Sequence, residues 1–164
     1  MSVERTQAII LRRTNYGEAD RILRMLTPLG QRNVIAKGAR REKSKLAGGI
    51  ELFAVSDIVI TSGKSDLGIL TSSRLVKFYR HILEDYDRLQ FGYETINLIT
   101  RASENIDEPA WYEVLREIFE ALDDLSIPLQ LVQTWFYLHY AKLTGYELNL
   151  ETDVIGQPLD GDKT

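Results

Sequence analysis

The sequence predicts an α+β chain: a small five-stranded β-barrel followed by an all-α unit. Three observations carry this reading. The hydrophobic period changes along the chain, alternating in the first half and recurring at three and four residues in the second. Five short runs rich in β-branched residues, joined mostly by tight turns, occupy about the first 75 residues, the spacing of a small closed or nearly closed barrel. The charge changes with the period. Residues 1–82 hold 15 Lys+Arg against 7 Asp+Glu, a net of +8, and residues 83–164 hold 5 against 17, a net of −12. The expected organisation is a barrel domain over residues 1–80, a helical domain over 81–145, and a polar tail or truncated C-terminal extension over 146–164.

Each element has its own signal. Thr6 to Arg13 reads as a first strand, and Asn15-Tyr16-Gly17 as a turn. Arg21 to Thr27 is a second strand. Thr27-Pro28-Leu29-Gly30 fits a type I turn, with Pro second and Gly fourth. Gln31 to Ala36 is a third strand, with Val34 and Ala36 on the face opposite Asn33 and Ile35. Glu51 to Ser62 is a long fourth strand, Ser62 to Ser65 a turn, and Leu67 to Val76 a fifth strand. Closure of these strands removes exposed sheet edges. The first long helix is expected over Asp85–Ala102, with Leu89, Tyr93, Ile96 and Thr100 on one stripe. Asp107 is the expected cap of the next, with Pro109 in its first turn and Trp111, Val114, Leu115, Ile118, Phe119, Leu122 and Leu125 on its core face. The last helix opens near Ser126 and Pro128 and closes at Thr144-Gly145. Its apolar residues run nearly all round, which predicts burial on several sides.

Composition excludes several chemistries. With no cysteine there is no disulfide framework, Cys-ligated zinc, iron–sulfur cluster or thiol nucleophile. The first residues are charged with no apolar stretch behind them, and no run is long enough to span a bilayer, so a cytoplasmic protein without membrane contact is expected. Gly63-Lys64-Ser65 lacks the P-loop glycine five residues earlier, where Ile58 stands, and a strand follows it; it reads as a hairpin turn with Lys64 exposed. His81 and His139 are the only histidines and lack companion ligands, and the acids Glu84, Asp85 and Asp87 read as a solvated helix start. No nucleophile-elbow pattern occurs. The expectation is a non-enzyme with no catalytic residue, metal or cofactor.

One feature does carry chemistry. Lys37, Arg40, Arg41, Lys43 and Lys45 place five cations in nine residues, and Arg12, Arg13, Arg21, Arg24 and Arg32 lie on adjacent strands or turns. A single charge run is ordinarily a solvated loop, but here the whole half shares the sign, as a polyanion-binding surface requires. Only four of the 15 aromatics, Tyr16, Phe53, Phe78 and Tyr79, lie in this half. That predicts a grip dominated by phosphate contacts, which release counterions, over one dominated by base stacking.

The run Glu18-Ala19-Asp20-Arg21-Ile22-Leu23, then Leu26-Thr27 and Gly30, then Ala36 to Arg41 with Lys43 to Leu46, and Leu52-Phe53 after Gly49, resembles the N-terminal domain of the bacterial DNA repair RecO family. Leu143 to Tyr146 with Leu148 and Leu150 resembles that family's Leu-x-Gly-Tyr-x-x-x-Leu segment, so the likeness spans roughly residues 6–150. The resemblance implies an OB-fold barrel followed by helices. It also implies a non-enzymatic recombination mediator of RecF-pathway repair that binds single- and double-stranded DNA, anneals complementary strands and assists RecA loading with RecR on strands coated by single-strand-binding protein. It implies a nucleoid-associated location. Lys37, Arg40, Arg41, Lys43 and Lys45, with Arg12, Arg21, Arg24 and Arg32, become the expected phosphate contacts. Many members carry four zinc-binding cysteines just after the Gly-Tyr segment; this short form has Glu151 to Gly156 there and no cysteine. The alternative reading from a different class is a protein–protein adaptor whose barrel mainly recruits a partner.

Overall fold

The computed structural model describes residues 2–145, so the polar segment expected over 146–164 lies outside the described residues. Five strands come first: β1 (Val3–Tyr16), β2 (Asp20–Thr27), β3 (Gly30–Ala36), β4 (Ala54–Ser62) and β5 (Gly68–Phe78). They close into a barrel in the order β1-β2-β3-β5-β4. Every pairing is antiparallel except β3–β5, which is parallel through Val34–Gly68 and Ile35–Ile69. This is the five-stranded OB-fold barrel. A single 3-10 turn (Ala47–Gly49) lies between β3 and β4. Helices follow: α1 (His81–Glu84), α2 (Tyr86–Ala102), α3 (Pro109–Asp123) and α4 (Leu129–Leu143). No helix among the described residues is long and apolar enough to cross a membrane.

The core forms in two parts because β1 buries both of its faces. Ala8 and Ile10 point into the barrel with Leu23, Met25, Val34, Ala36, Ile58, Ile60 and Leu70. Ile9 and Leu11 point outward with Leu26 and Val55, into a second cluster built with Ile96, Ile99, Trp111, Leu115, Ile118 and Phe119 of the helices. The run Ala8-Ile9-Ile10-Leu11 is therefore apolar without a break, as a strand buried on both faces requires. One side of the barrel is roofed by helices and another is left to solvent.

Several boundaries differ from the sequence expectation. β1 runs from Val3 through Tyr16, past the expected Thr6–Arg13, because its first half pairs with β4 and its second half with β2. β4 starts at Ala54 and not at Glu51. Phe53 interrupts the strand with a left-handed backbone (φ 56°), which turns its ring to Tyr93 and Phe119 at centroid distances of 5.2 and 5.4 Å. Gly92 makes room for that ring: a Cβ there would lie 2.6 Å from Phe53 Cε1. On α2 the buried stripe is Arg88, Phe91, Thr95, Ile96 and Ile99, while Tyr93 is exposed. The cap of α3 is Glu108, whose carboxylate accepts from the Ala110 amide, and not Asp107. The expectation that α4 is buried on several sides is overturned. Only Val132 and Phe136 are buried, while Leu131 is 61% exposed and Tyr137 and Leu138 are also open to solvent. An apolar pattern all round a helix needs a partner on every side, and among the described residues α4 packs chiefly on α3 and α2.

Barrel and helices are also joined by polar contacts. Gln31 Nε2 donates to Thr100 O and Ser103 Oγ (2.8 and 2.9 Å), and the Tyr112 hydroxyl meets Gln7 Oε1 at 3.2 Å. Glu120 accepts from Lys77 Nζ at 2.6 Å and from the Tyr79 hydroxyl at 2.9 Å. Partial burial pushes the Glu120 carboxyl up, but the Lys77 and Tyr79 hydrogen bonds outweigh it and hold it below the ordinary value. Burial, then the bond to Glu120, raises the Tyr79 phenol well above its ordinary value. The signs fix two edges. Glu120 contributes stability that is present above its unfolded-state pKa and lost as pH falls through the lower folded value. Tyr79 contributes stability that declines as pH rises beyond the ordinary tyrosine pKa. Urea midpoints measured across pH should fall at both edges, and Glu120→Gln should flatten the acid edge. The surface position of Glu120 keeps the effect small.

Candidate nucleic-acid interface

Strand register places the candidate residues. On the barrel side away from the helices, Thr14 pairs with Ile22, Ile22 with Ile35, and Ile35 with Ile69. All four are outside the barrel, because Leu23, Val34 and Leu70 next to them point in. Three β-branched apolar side chains thus form one half-buried row across β2, β3 and β5. The adjoining row is polar: Arg12 pairs with Arg24, Arg24 with Asn33, and Arg24 Nε meets Asn33 Oδ1 at 3.4 Å. On the other flank stand Tyr16, 54% exposed at the end of β1, Lys37 just past β3, and Lys64 in the β4–β5 turn.

Two open depressions share this face and meet at Ile22. The smaller, about 120 Å³, is lined by Arg12, Thr14, Ile22, Arg24 and Asn33. The larger, about 460 Å³, has a floor of Ile22, Ile35, Leu67 and Ile69 and a rim that includes Tyr16, Lys37 and Lys64.

The basic loop is fixed beside the larger depression. Asp20 Oδ1 accepts from the Gly38 amide at 2.7 Å, and Ala19 O accepts from the Arg40 amide at 2.9 Å. The Arg40 guanidinium donates to Gly17 O at 3.0 Å. Gly38 has a φ of +66°, a conformation that favours glycine and that turns the chain back onto the β1–β2 hairpin. Ala39 is buried in the barrel core and anchors the loop from below. Arg40, Arg41, Lys43 and Lys45 are left exposed, and among the described residues none of them has a carboxylate partner.

The nine expected phosphate contacts therefore separate into two groups. Arg12, Arg24 and Lys37 line the two depressions of one face, and Arg40 and Arg41 lie beside it on the stretch held to the β1–β2 hairpin. Lys43 and Lys45 continue the basic loop, exposed. Arg21 and Arg32 lie outside this group. Arg21 shares the inward register of Leu23 and Met25, and its Nε is buried without a hydrogen-bond partner among the protein atoms. Arg32 shares the inward register of Val34, nearer the helical side, and its Nε is held by Glu4 Oε2 at 3.1 Å. Parity within RILRMLT and QRNVIA carries this distinction, since each arginine stands two residues before an inward residue. The isoleucine row was not visible as a unit, because Ile69 reaches it only through the parallel β3–β5 closure. The charge at Lys64, read as an exposed turn, joins the same rim. No group of three or more His, Asp or Glu side chains that could hold a metal occurs among the described residues.

Residues 1–79 match the family model described as the recombination protein O N-terminal domain. The chain is similar to DNA repair protein RecO of Roseiflexus sp. (strain RS-1), 34% identical over 149 residues that make up 90% of this chain and 52% of that protein. It is 34% identical to DNA repair protein RecO of Dehalococcoides mccartyi (strain ATCC BAA-2266 / KCTC 15142 / 195) over 89% of this chain and 58% of that protein. The corresponding protein of Rubrobacter xylanophilus is 30% identical over 92% of this chain and 61% of its own length. The chain thus spans between half and two thirds of the length of these curated relatives.

Proposed function

Because this chain belongs to the RecO family, its first 79 residues forming the family's N-terminal domain, we propose that it is a non-enzymatic DNA-binding mediator of recombinational repair. It binds single- and double-stranded DNA mainly through phosphates, anneals complementary strands, and assists RecA loading together with RecR on strands coated by single-strand-binding protein. The partner assignments follow from the family likeness.

The observation that carries the DNA-binding reading is the cationic face. Arg12, Arg24 and Lys37 line one side of the barrel, and Arg40, Arg41, Lys43 and Lys45 follow exposed in the loop that leaves it, all seven with no carboxylate partner among the described residues. Unpaired surface cations are available to phosphate, and each phosphate neutralised releases condensed counterions. The acidic helices repel phosphate and so orient the strand onto the barrel.

The test is annealing of complementary strands, with and without single-strand-binding protein, across a salt series. Several phosphate contacts predict a log–log slope of about −0.7 per contact for single strands, hence a steep fall between low and physiological salt. A shallow slope with strong dependence on base sequence would overturn the phosphate-dominated grip. Retained annealing with lost partner binding in a loop charge variant would support the adaptor reading instead.

A further inference from the structure

We propose that the groove between α3 and α4 is a docking site for a basic amphipathic helix of a partner protein, its apolar face laid against Leu131, Trp135 and Leu138 and its cations set toward the acids of α3. This surface lies in the helical unit and does not depend on the DNA-binding reading of the barrel.

The floor is apolar and reaches solvent. Leu131 (61% exposed), Trp135 (half-buried) and Leu138 (41% exposed) recur at four and three residues, so they form one stripe of α4. Leu125, 52% exposed, stands in the turn that joins the two helices. Beside the stripe a depression of about 240 Å³ opens between the helices. It is lined by Glu117 and Ala121 of α3, Ile127 of the turn, and Leu131, Val132 and Trp135 of α4. That volume is below the range of small-molecule sites, about 300–1,000 Å³, and suits the side chains of a packing helix. Val132 and Phe136 are the buried residues of α4, and they leave the stripe beside them uncovered among the described residues. Exposed large apolar side chains rimmed by polar groups mark an interaction surface. Anchors at helical spacing beside a groove suit a partner helix laid along it.

Charge identifies the occupant. Residues 125–146 hold no Asp or Glu, although residues 83–164 hold 17. The floor is thus free of acid, and the acids stand at its edge. Glu113, Glu117 and Asp124, spaced by four and seven residues, share the stripe of α3 that meets the groove at Glu117, and all three are exposed. Arg116 answers Glu113 at 3.1 Å, but no cation among the described residues pairs with Glu117. The Ser126 hydroxyl and amide donate to Asp124 at 2.6 and 3.0 Å, which holds the Asp124 carboxyl below its ordinary value and keeps it charged. An apolar floor with an acidic edge complements a helix that carries leucines on one face and Lys or Arg beside them. Lys142, the only Lys or Arg of α4, lies one turn beyond Leu138, so the occupant's cations belong at the Glu117 and Asp124 end. A second copy of this chain is disfavoured, since pairing two such grooves brings two acidic edges together.

The experiment uses the full chain and two synthetic peptides of about 16 residues, long enough to form a helix. They lack tryptophan, share their leucines, and carry Lys in one and Glu in the other at the flanking positions. Binding is read by anisotropy of the labelled peptide and by tryptophan emission. Covering Trp135 should shift the emission to the blue, because Trp111 is already buried. At low salt the Lys peptide should bind about tenfold more tightly than the Glu peptide, and the gap should narrow as salt screens the edge. Leu131→Gln should weaken the Lys peptide about tenfold, the scale of one leucine lost from a contact. Its urea midpoint should stay at the wild-type value, because Leu131 is exposed. Glu117→Lys should close most of the gap between the peptides. Asp66→Lys in the β4–β5 turn makes the same charge change on the barrel and should leave the gap open. Equal binding of the two peptides, binding of neither, or a Lys-peptide affinity untouched by Leu131→Gln overturns the docking site. A dimer in sedimentation equilibrium that Leu131→Gln dissolves also overturns it and assigns the groove to a second copy.

Discussion

Replacing Arg88 with Met should destabilise the protein by about 3–5 kcal/mol, the largest loss expected from any single substitution in the helical unit. Arg88 stands on α2 and is only 5% exposed. Its guanidinium donates to Leu122 O at 3.0 Å, Asp124 O at 3.3 Å, Ala121 O at 3.5 Å and Ile127 O. These carbonyls belong to the end of α3 and the turn leading to α4, where a helix leaves its last acceptors without intrahelical donors. A cation at that end also meets the negative pole of the helix. One side chain thus closes the C-terminus of α3 and fixes the turn that launches α4. Met keeps much of the volume and removes every donor, so several buried acceptors lose their partner at once. Arg88→Lys keeps the charge on a single ammonium that cannot reproduce the planar fork, and should recover part of the loss. Urea unfolding followed by tryptophan fluorescence checks this directly, because Trp111 and Trp135, the chain's only tryptophans, lie on α3 and α4. A midpoint for Arg88→Met within about 1 kcal/mol of wild type would mean that water satisfies those carbonyls equally well.

Arg88 also marks where sequence reasoning reached its limit. An arginine interrupts the apolar period of α2 and reads as a surface residue, since burial of a charge depends on acceptors more than 30 residues away. The same applies to the stripe of α2. Its orientation is set by the close approach of Phe53 to Gly92, a tertiary contact with no local signal beyond the glycine. The barrel was far more legible. Alternation in RILRMLT and QRNVIA reports which side chains enter the barrel, and Pro28 with Gly30 reports the turn between them, because both are local constraints on the backbone. The start of β4 was missed for a physical reason: nothing about Phe at position 53 announces a left-handed backbone, a conformation ordinarily costly for a bulky residue. For α4, the apolar circumference is a property of the sequence alone. Exposure depends on what packs there, which periodicity cannot report. At the candidate interface, the basic loop was visible as a run of charge. The isoleucine row was not, because closure of β3 on β5 joins residues 34 positions apart.

Reversing Arg40, Arg41 and Lys43 together to Glu should lower affinity for DNA, and with it strand annealing, by about 100-fold at low salt. The change takes the net charge of residues 1–82 from +8 to +2. Neutralising three phosphates contributes roughly −0.7 each to the log–log salt slope on single strands and −0.9 each on duplex, so the slope should become shallower by about 2–3. Stability should change little, since all three side chains are exposed and only Arg40 makes a bond, to Gly17 O. A second triple reversal at Arg41, Lys43 and Lys45 keeps that bond and should give the same loss. The necessary control moves charge elsewhere on the barrel. Arg5 and Arg74 line a separate depression on the outer β1–β4–β5 surface, with Arg74 paired to Asp57 at 2.6 Å. Reversing these two lowers the net charge by four units, close to the six of the loop variant, without touching the proposed face. If only the overall field attracted DNA, the two variants would lose affinity nearly in proportion to their charge. If the loop makes the contacts, the Arg5/Arg74 variant keeps its salt slope and the loop variant does not, because counterions are released only where phosphates are neutralised. Proportional losses in both would remove the loop as a defined phosphate site.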